Sequence, residues 1–354
     1  MDWKRFRRNR LALISAIFIG LLIVVSLLGY LVSPDKSPDA NRIDLELALQ
    51  SPGFQVDFIR TTELAEESQS LIKTMFKGKE DPNTWVSISS LNYPTDYTPF
   101  TKNGQIVPVE LDATTSMLED EWRRTHLKTK TFWLGTDRYG RDVLSRIILG
   151  ARVSLLVGFI SVFITLIIGT TLGLCSGYFG GWVDRVIMWL INVVWSLPSL
   201  LIAISISFAF QEKGLYQVFL AIGLSMWVEL ARIVRGQVLQ VKEMEYIQAA
   251  KVFGFGSFRI LFKHILPNIR APIIVVCAAN FASAILLEAG LSFLGLGVQP
   301  PTPSWGTMIK EHYSYIVFDA AHLAIIPGLC IMLLVMSFNF LGNGLRDYYD
   351  VNLK

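Results

Sequence analysis

At 354 residues the chain has room for two or three ordinary soluble domains, yet 52% of it is hydrophobic and its mean hydropathy is +0.45, which places it among membrane proteins. The net charge is only +3 and the basic residues are scattered among apolar runs, which argues against nucleic-acid binding. Cys175, Cys277 and Cys330 fall in separate apolar segments without CxxC spacing, and His126, His264, His312 and His322 form no HExxH or paired set, so metal and redox chemistry have no support.

In chain order, Leu11 to Val32 is long enough to cross a hydrocarbon core and follows the basic tract Lys4, Arg5, Arg7, Arg8 and Arg10. That is a first span with a cytoplasmic N-terminus. The run exceeds the apolar region of a signal peptide, and no A-x-A site precedes Ser33-Pro34. From Ser33 to about Arg146 hydropathy falls and no segment reaches span length, so residues 33–146 form a soluble extracytoplasmic insertion plus a juxtamembrane segment. Within it, Leu45 to Leu49 and Leu118 to Trp122 suit short helices, whereas Trp85 to Leu91 alternates like a strand, giving an α+β expectation.

Five more apolar regions follow, roughly Ser154 to Tyr178, Val186 to Phe210, Tyr216 to Val234, Pro272 to Leu296 and His322 to Leu341. The fold class is therefore an all-α membrane protein of six transmembrane helices, with the insertion between helices 1 and 2. Residues 1–32 are the basic N-terminus and first helix, 147–342 a five-helix core, and 343–354 a tail. Six crossings return both termini to the cytoplasm. The loop 235–270 then lies inside, and its Arg235, Lys242, Lys251, Arg259, Lys263 and Arg270 agree with the positive-inside rule.

Within that loop, Glu245 to Asn268 reads as two short helices bent at glycine and stopped at proline. Ala249 and Ala250 leave backbone accessible, Gly254 and Gly256 permit a sharp turn, Ser257 caps the next helix and Pro267 ends it. Phe258, Leu261, Phe262 and Ile265 repeat at helical spacing and suit a membrane or bundle surface. The small-residue step, glycine turn and proline stop together describe a docking surface for a soluble partner.

Other features favour packing. Gly169 and Gly173 form a GxxxG pair that permits close helix approach. Pro198 and Pro327 can kink their helices. Glu229 and Arg232 are spaced to pair across one turn. Glu288, the clearest intramembrane charge, is a candidate pathway residue, although a hydrogen-bonded carboxylate near a helix end is the plainer reading. On physical grounds alone, Leu134 to Leu155 (LGTDRYGRDVLSRIILGARVSL) is a juxtamembrane helix with Arg138, Arg141, Arg146 and Arg152 facing water or head groups.

The run Gln248, Ala249, Ala250, Gly254, Leu266, Pro267 resembles the cytoplasmic EAA loop of ABC importer permeases, with Gln248 where that family usually has Glu. The strings LGTDRYGRDVLSRIILGARVSL, GYFGGWVDR (Gly177 to Arg185), LSFLGLG (Leu291 to Gly297), PSWG (Pro303 to Gly306) and LGNGLRD (Leu341 to Asp347) are similar to C-type permease subunits of dipeptide and oligopeptide ABC transporters. Asn343 departs from the family's usual Asp.

This resemblance implies a type I ABC importer permease in a bacterial inner membrane, working with a B-type permease subunit, two ATPase subunits and an extracytoplasmic solute-binding protein. It further implies a coupling loop made of Glu245, Gln248, Ala249, Ala250, Phe253, Gly254, Gly256 and Pro267, and a peptide cargo, with nickel or another small solute as the alternative within the family. No GxxxxGK[ST] is present, so the chain is not its own ATPase; it binds no cofactor, and ATP and magnesium sit on the partners. An ion-coupled secondary transporter is the competing class, but the matched broken helices it requires in two halves are not visible.

Overall fold

The computed structural model describes residues 9–60, 70–79, 81, 85–92, 96–99, 127–210 and 214–349. The basic tract before Asn9 and the helix expected at Leu118 to Trp122 lie outside them. Helix α1 (Arg10–Leu27) is followed by the short α2 (Gly29–Val32). Then come β1 (Phe54–Arg60), α3 (Leu71–Lys77), β2 (Trp85–Asn92), β3 (Asp96–Pro99) and β4 (Leu127–Phe132). The remainder is helical: α4 (Val143–Phe179), α5 (Gly181–Trp195), α6 (Ser199–Ala209), α7 (Leu215–Lys242), α8 (Glu245–Val252), α9 (Ser257–Phe293), α10 (Trp305–His312) and α11 (His322–Tyr349).

Among the described residues, strands occur only in the segment between α2 and α4. They form an antiparallel sheet in the order β3-β2-β1-β4, with Asp57 opposite Ile88 and Phe54 opposite Phe132. The period-2 alternation in β1 puts Val56 and Phe58 on one face, where they bury against Leu47 and Phe132. The strand expected at Trp85 to Leu91 is β2, and the helix expected at Leu45 to Leu49 is a single 3₁₀ turn, Leu45–Leu47.

Five helices, α1, α4, α7, α9 and α11, are each long and apolar enough to cross a membrane. The apolar region from Val186 to Phe210 is instead broken into α5 and α6, bent by 94°. Pro198 explains the break, because it has no N–H to donate and disfavours helical backbone at Leu197. Pro327, by contrast, stays inside a continuous α11.

The packing of α4 on α7 decides what the broken pair does. Ser161 Oγ donates to the Phe219 carbonyl at 3.3 Å and Thr165 Oγ1 to that of Gly223 at 3.0 Å. Gly169 then faces Trp227 and Leu230, Gly173 faces Ala231 and Val234, and Gly177 faces Arg235 and Val238. Residue numbers rise together along both helices, so α4 and α7 are parallel. A chain can enter a parallel neighbour only by crossing back, and α5 with α6 is that crossing, which makes six. The GxxxG pair read from the sequence is the upper part of a longer glycine seam that Gly177 completes.

The other helices alternate. Helix α9 runs antiparallel to α4, with Phe281 at Gly158 and Glu288 at Ser154. Helix α11 runs antiparallel to α9, with Gly342 at Ala278 and Phe338 stacked on Phe281 at 3.9 Å. Asn9 Nδ2 donates to Asp347 Oδ2 at 3.2 Å, joining the start of α1 to the end of α11. Both ends of the described chain thus lie on the side that carries α8.

At the opposite end, the segment before α4 departs from its sequence reading. Arg141 and Arg146 are buried, not solvated. Arg141 Nε meets Asp137 Oδ2 at 2.6 Å and its Nη2 meets Glu311 Oε2 at 2.8 Å, while Arg146 lies 3.8 Å from both carboxylates. Asp137 also accepts the backbone N–H groups of Tyr139 and Arg141, closing a tight turn. Two positive and two negative charges cancel in one knot, which makes their joint burial tolerable. Arg152 is likewise engaged, donating to the Met75 carbonyl at 3.2 Å and stacking over Phe76.

The remaining motifs are structural in the same region. Trp305 packs on Gly150 and donates Nε1–H to the Ile147 carbonyl at 3.0 Å, and Ser304 caps α10 by accepting from Thr307 N–H at 3.1 Å. Gly295 takes φ +81°, a conformation open chiefly to glycine.

Candidate functional site

On the side shared by both chain ends, α7 runs to Lys242 and α8 follows after a short link. Ile247 and Ala250 face inward and bury against Val241, Ile260, Leu261 and Ile265. The opposite face of α8 is open: Glu245, Tyr246, Gln248, Ala249 and Val252 are exposed. Val252 is 87% exposed, Phe253 78% and Phe258 75%, with Phe258 and Phe262 in contact at 4.4 Å between ring centroids. The basic side chains of Arg259 and Lys263 rim this patch. Apolar side chains that protrude in a cluster with a charged rim mark an interaction surface.

Two clamps hold the loop's base. Arg235 and Asp184 form two parallel bonds, Nε to Oδ1 and Nη2 to Oδ2, each 2.7 Å, and Ser176 donates to the same carboxylate. Lys242 Nζ donates to the Tyr178 carbonyl at 2.8 Å, at the end of α4. The ends of α4 and α7 and the start of α5 are therefore bonded to one another, and α8 follows directly from α7.

The structure gathers Glu245, Gln248, Ala249, Ala250, Phe253, Gly254 and Gly256 in one place, but not all in the anticipated roles. Of the two alanines, Ala249 is exposed and Ala250 is packed inward. Gly254 takes φ +75°, whereas Gly256 sits at φ −61°, which any residue adopts, so a single glycine makes the turn. Gly256, not Ser257, occupies the N-cap position, and no side chain caps it.

Pro267 does not end a helix: Ser257–Phe293 is continuous through it. A π-helical stretch, Ile260–Ile265, precedes the proline and widens the turn, with Leu266 N–H donating five residues back to Leu261. Asn268 Nδ2 satisfies the His264 carbonyl at 2.6 Å. The wide turn absorbs the clash a proline ring makes with the preceding turn of an ordinary helix.

Gln248 has a definite job. Its Nε2 donates to the Lys242 carbonyl at 3.0 Å, satisfying one of the orphan acceptors at the end of α7. A carboxylate there can only accept, so Gln in place of Glu ties α8 to α7. Of the apolar stripe Phe258, Leu261, Phe262 and Ile265, Leu261 and Ile265 are buried in the bundle and both phenylalanines are exposed.

Glu288 stands apart from this loop, fully buried at the far end of α9. Ser292 Oγ donates to it at 2.8 Å and Ser154 Oγ at 3.4 Å, so it clasps α9 to α4. Arg232 does not pair with Glu229; it stacks over Trp195 at 3.5 Å and donates to Asn192 Oδ1 at 3.2 Å. Asp137, Glu311 and His312 bring possible metal-ligand atoms within 4.8 Å of one another, but both carboxylates are already held by arginines. His312 Nδ1 lies 2.8 Å from the Met308 carbonyl and therefore carries the proton in that bond. Burial holds its pKa below the usual histidine value. In the sheet-bearing segment a cavity of about 880 Å³ is lined by both charges, among them Asp35, Arg42 and Lys130, beside Trp85.

Residues 169–354 match the model of a family described as the binding-protein-dependent transport system inner membrane component, and residues 2–52 match the N-terminal TM domain of oligopeptide transport permease C. A glutathione transport system permease protein, GsiD of Pectobacterium atrosepticum, is 45% identical over 222 residues, covering 63% of this chain and 73% of the relative. A dipeptide transport system permease protein, DppC of Haemophilus influenzae, is 41% identical over 248 residues, covering 70% and 82%. Among solved structures, an inward-facing MetNI methionine ABC transporter matches 56% of this chain and 94% of its own at 17% identity, with a TM-score of 0.48. With more than half of its length matched by the first of these models and its start by the second, the chain belongs to the binding-protein-dependent transport system inner membrane components, as a multi-pass permease of the oligopeptide permease C type.

Proposed function

We propose that this permease carries short peptides and is driven by separate ATPase subunits that seat on α8 and the turn after it. The observation that carries the docking site is the exposure of Val252, Phe253 and Phe258 on a short helix anchored by Gln248 and the Asp184–Arg235 pair. A surface left apolar and held rigid is suited to receive a partner and to pass its movement to α4 and α7. A partner can shift the spans only by binding their two arrangements differently, so the contact must be made by an element tied to those spans.

The peptide cargo is supported by the relatives, which are glutathione and dipeptide transport system permease proteins. The remaining assembly is a B-type permease, two ATPases holding ATP and magnesium, and an extracytoplasmic binding protein that delivers the solute. The side of α8 is the cytoplasm and the sheet-bearing insertion is outside, a reading supported by Arg10, Lys242, Arg259, Lys263 and Arg270 at that end.

The test is co-purification of the ATPase with the permease, together with dipeptide uptake, in Val252→Ser/Phe253→Ser and in Gly254→Trp. Loss of both is expected, since the first pair removes the apolar contact and the third cannot keep φ +75° without strain. Uptake and co-purification at the parental level in all of them would overturn the docking assignment.

A further inference from the structure

The return crossing α5–α6 has its break in an unusual place. Helix α6 has 11 residues, a rise of about 16 Å, which is about half of a hydrocarbon core of ~30 Å. Its far end is tied to the start of α7, where Gln217 Nε2 donates to the Ser207 carbonyl at 3.0 Å. The break at Ser196–Ser199 therefore falls near mid-depth of the membrane. Backbone without helical partners at that depth is tolerated only inside protein or against water. Yet Ser196, Leu197, Pro198 and Ser199 are all exposed on this chain.

A second observation points to the same strip independently. Glu229, on α7, is exposed and has no partner among the described residues, although its helix crosses the membrane. Arg232, one turn on, lies over Trp195 and bonds Asn192, both immediately before the break. These groups occupy the side of α7 opposite its glycine seam with α4, where Leu230, Val234 and Val238 are buried. An unpaired carboxylate and a helix interrupted at a proline, both turned toward lipid, would each be costly. Opposite charges a turn apart, beside hydroxyls and an amide, suit a solute that is itself a zwitterion.

We propose that Asn192, Ser196, Ser199, Glu229 and Arg232 line the aqueous translocation pathway near mid-membrane, with Glu229 receiving the ammonium end of a passing peptide and Arg232 with Asn192 its carboxylate. This rests on the peptide-permease reading above for the identity of the solute, but not for the position of the strip.

The experiment has two arms, both on the complete transporter in proteoliposomes. In a background with Cys175, Cys277 and Cys330 replaced by alanine, Ser196→Cys and Ser199→Cys are exposed to a charged, membrane-impermeant thiol reagent with and without ATP and vanadate. Labelling in at least one state is expected. Absence of labelling in every state means a partner subunit or lipid covers the break, and overturns the placement.

In the second arm, Glu229→Gln is expected to raise the KM for alanyl-alanine about tenfold with a much smaller change in kcat, and Glu229→Asp is expected to recover most of the loss. An unchanged KM in Glu229→Gln overturns the ammonium contact. If the parental transporter carries no dipeptide at all, the peptide reading fails, and the thiol labelling still decides the strip.

Discussion

The two ends of the spanning bundle solve opposite problems. At the end near α10, charged residues are taken out of water and paired within the chain: Arg141 and Arg146 lie against Asp137 and Glu311. At the α8 end, apolar residues are left in the open, with Val252, Phe253 and Phe258 exposed beyond a base held by Asp184–Arg235 and Lys242–Tyr178. At the first end the charges find partners in the same chain, whereas at the second the apolar side chains do not. Polarity alone does not distinguish structural from functional residues here. What distinguishes them is whether each group's partner lies in the same chain.

The sharpest way to break this contrast is at the knot. Arg141→Ala leaves two buried carboxylates short of a cation and is expected to cost about 3–5 kcal/mol in denaturant unfolding of the detergent-solubilised protein. A loss under about 1 kcal/mol would show the knot to be hydrated. The same knot responds to acid through His312. Because burial depresses its folded pKa, the unfolded state binds the proton more readily, so stability is full above about pH 6.5 and declines as pH falls through that value. His312→Gln is expected to flatten that decline in a melting-temperature series.

The glycine seam comes next. At Gly173 an added Cβ would lie 2.6 Å from the Ala231 carbonyl oxygen, so Gly173→Val is expected to cost about 1–3 kcal/mol. Gly236, on the open side of α7, has nothing near it and tolerates alanine with a gain of up to about 1 kcal/mol in helix propensity. Equal effects at the two glycines would mean that the open side is as closely packed as the seam.

Gln248→Glu removes one donated bond, worth about 0.5–1.5 kcal/mol, and hydrogen exchange at the amides of α8 should report the loosening. The smallest stability effect belongs to the exposed patch: Val252→Ser/Phe253→Ser should unfold within about 0.5 kcal/mol of the parent while losing its ATPase. A large destabilisation there would mean the patch packs within this chain, and the contrast between the ends would collapse.

Much of this was legible beforehand. Span lengths, the weakness at Pro198, the close-packing glycines, the strand at β2 and the short helix α8 with its glycine turn follow from residue types read over short windows. Misreadings occurred where a distant or cooperative partner decides the outcome. Arg141 looked solvated because Glu311 is 170 residues away in the chain. Pro267 looked like a helix stop because nothing in its neighbours announces the π-helical stretch that accommodates it. Glu229 and Arg232 looked like a pair because their spacing permits one, but Trp195 and Asn192 of another helix compete for the arginine.

The sequence by itself determined the lipid-facing scale of the molecule, six segments of apolar length, together with the presence of a glycine turn after α8. These depend on side-chain transfer free energies and backbone sterics that act within a few residues. Only the tertiary structure decided which charges are enclosed and which face outward, and that α4 and α7 run parallel so that a broken helix must make the return crossing. Burial and charge pairing are sums over neighbours from every part of the chain, and for that reason local sequence does not contain them.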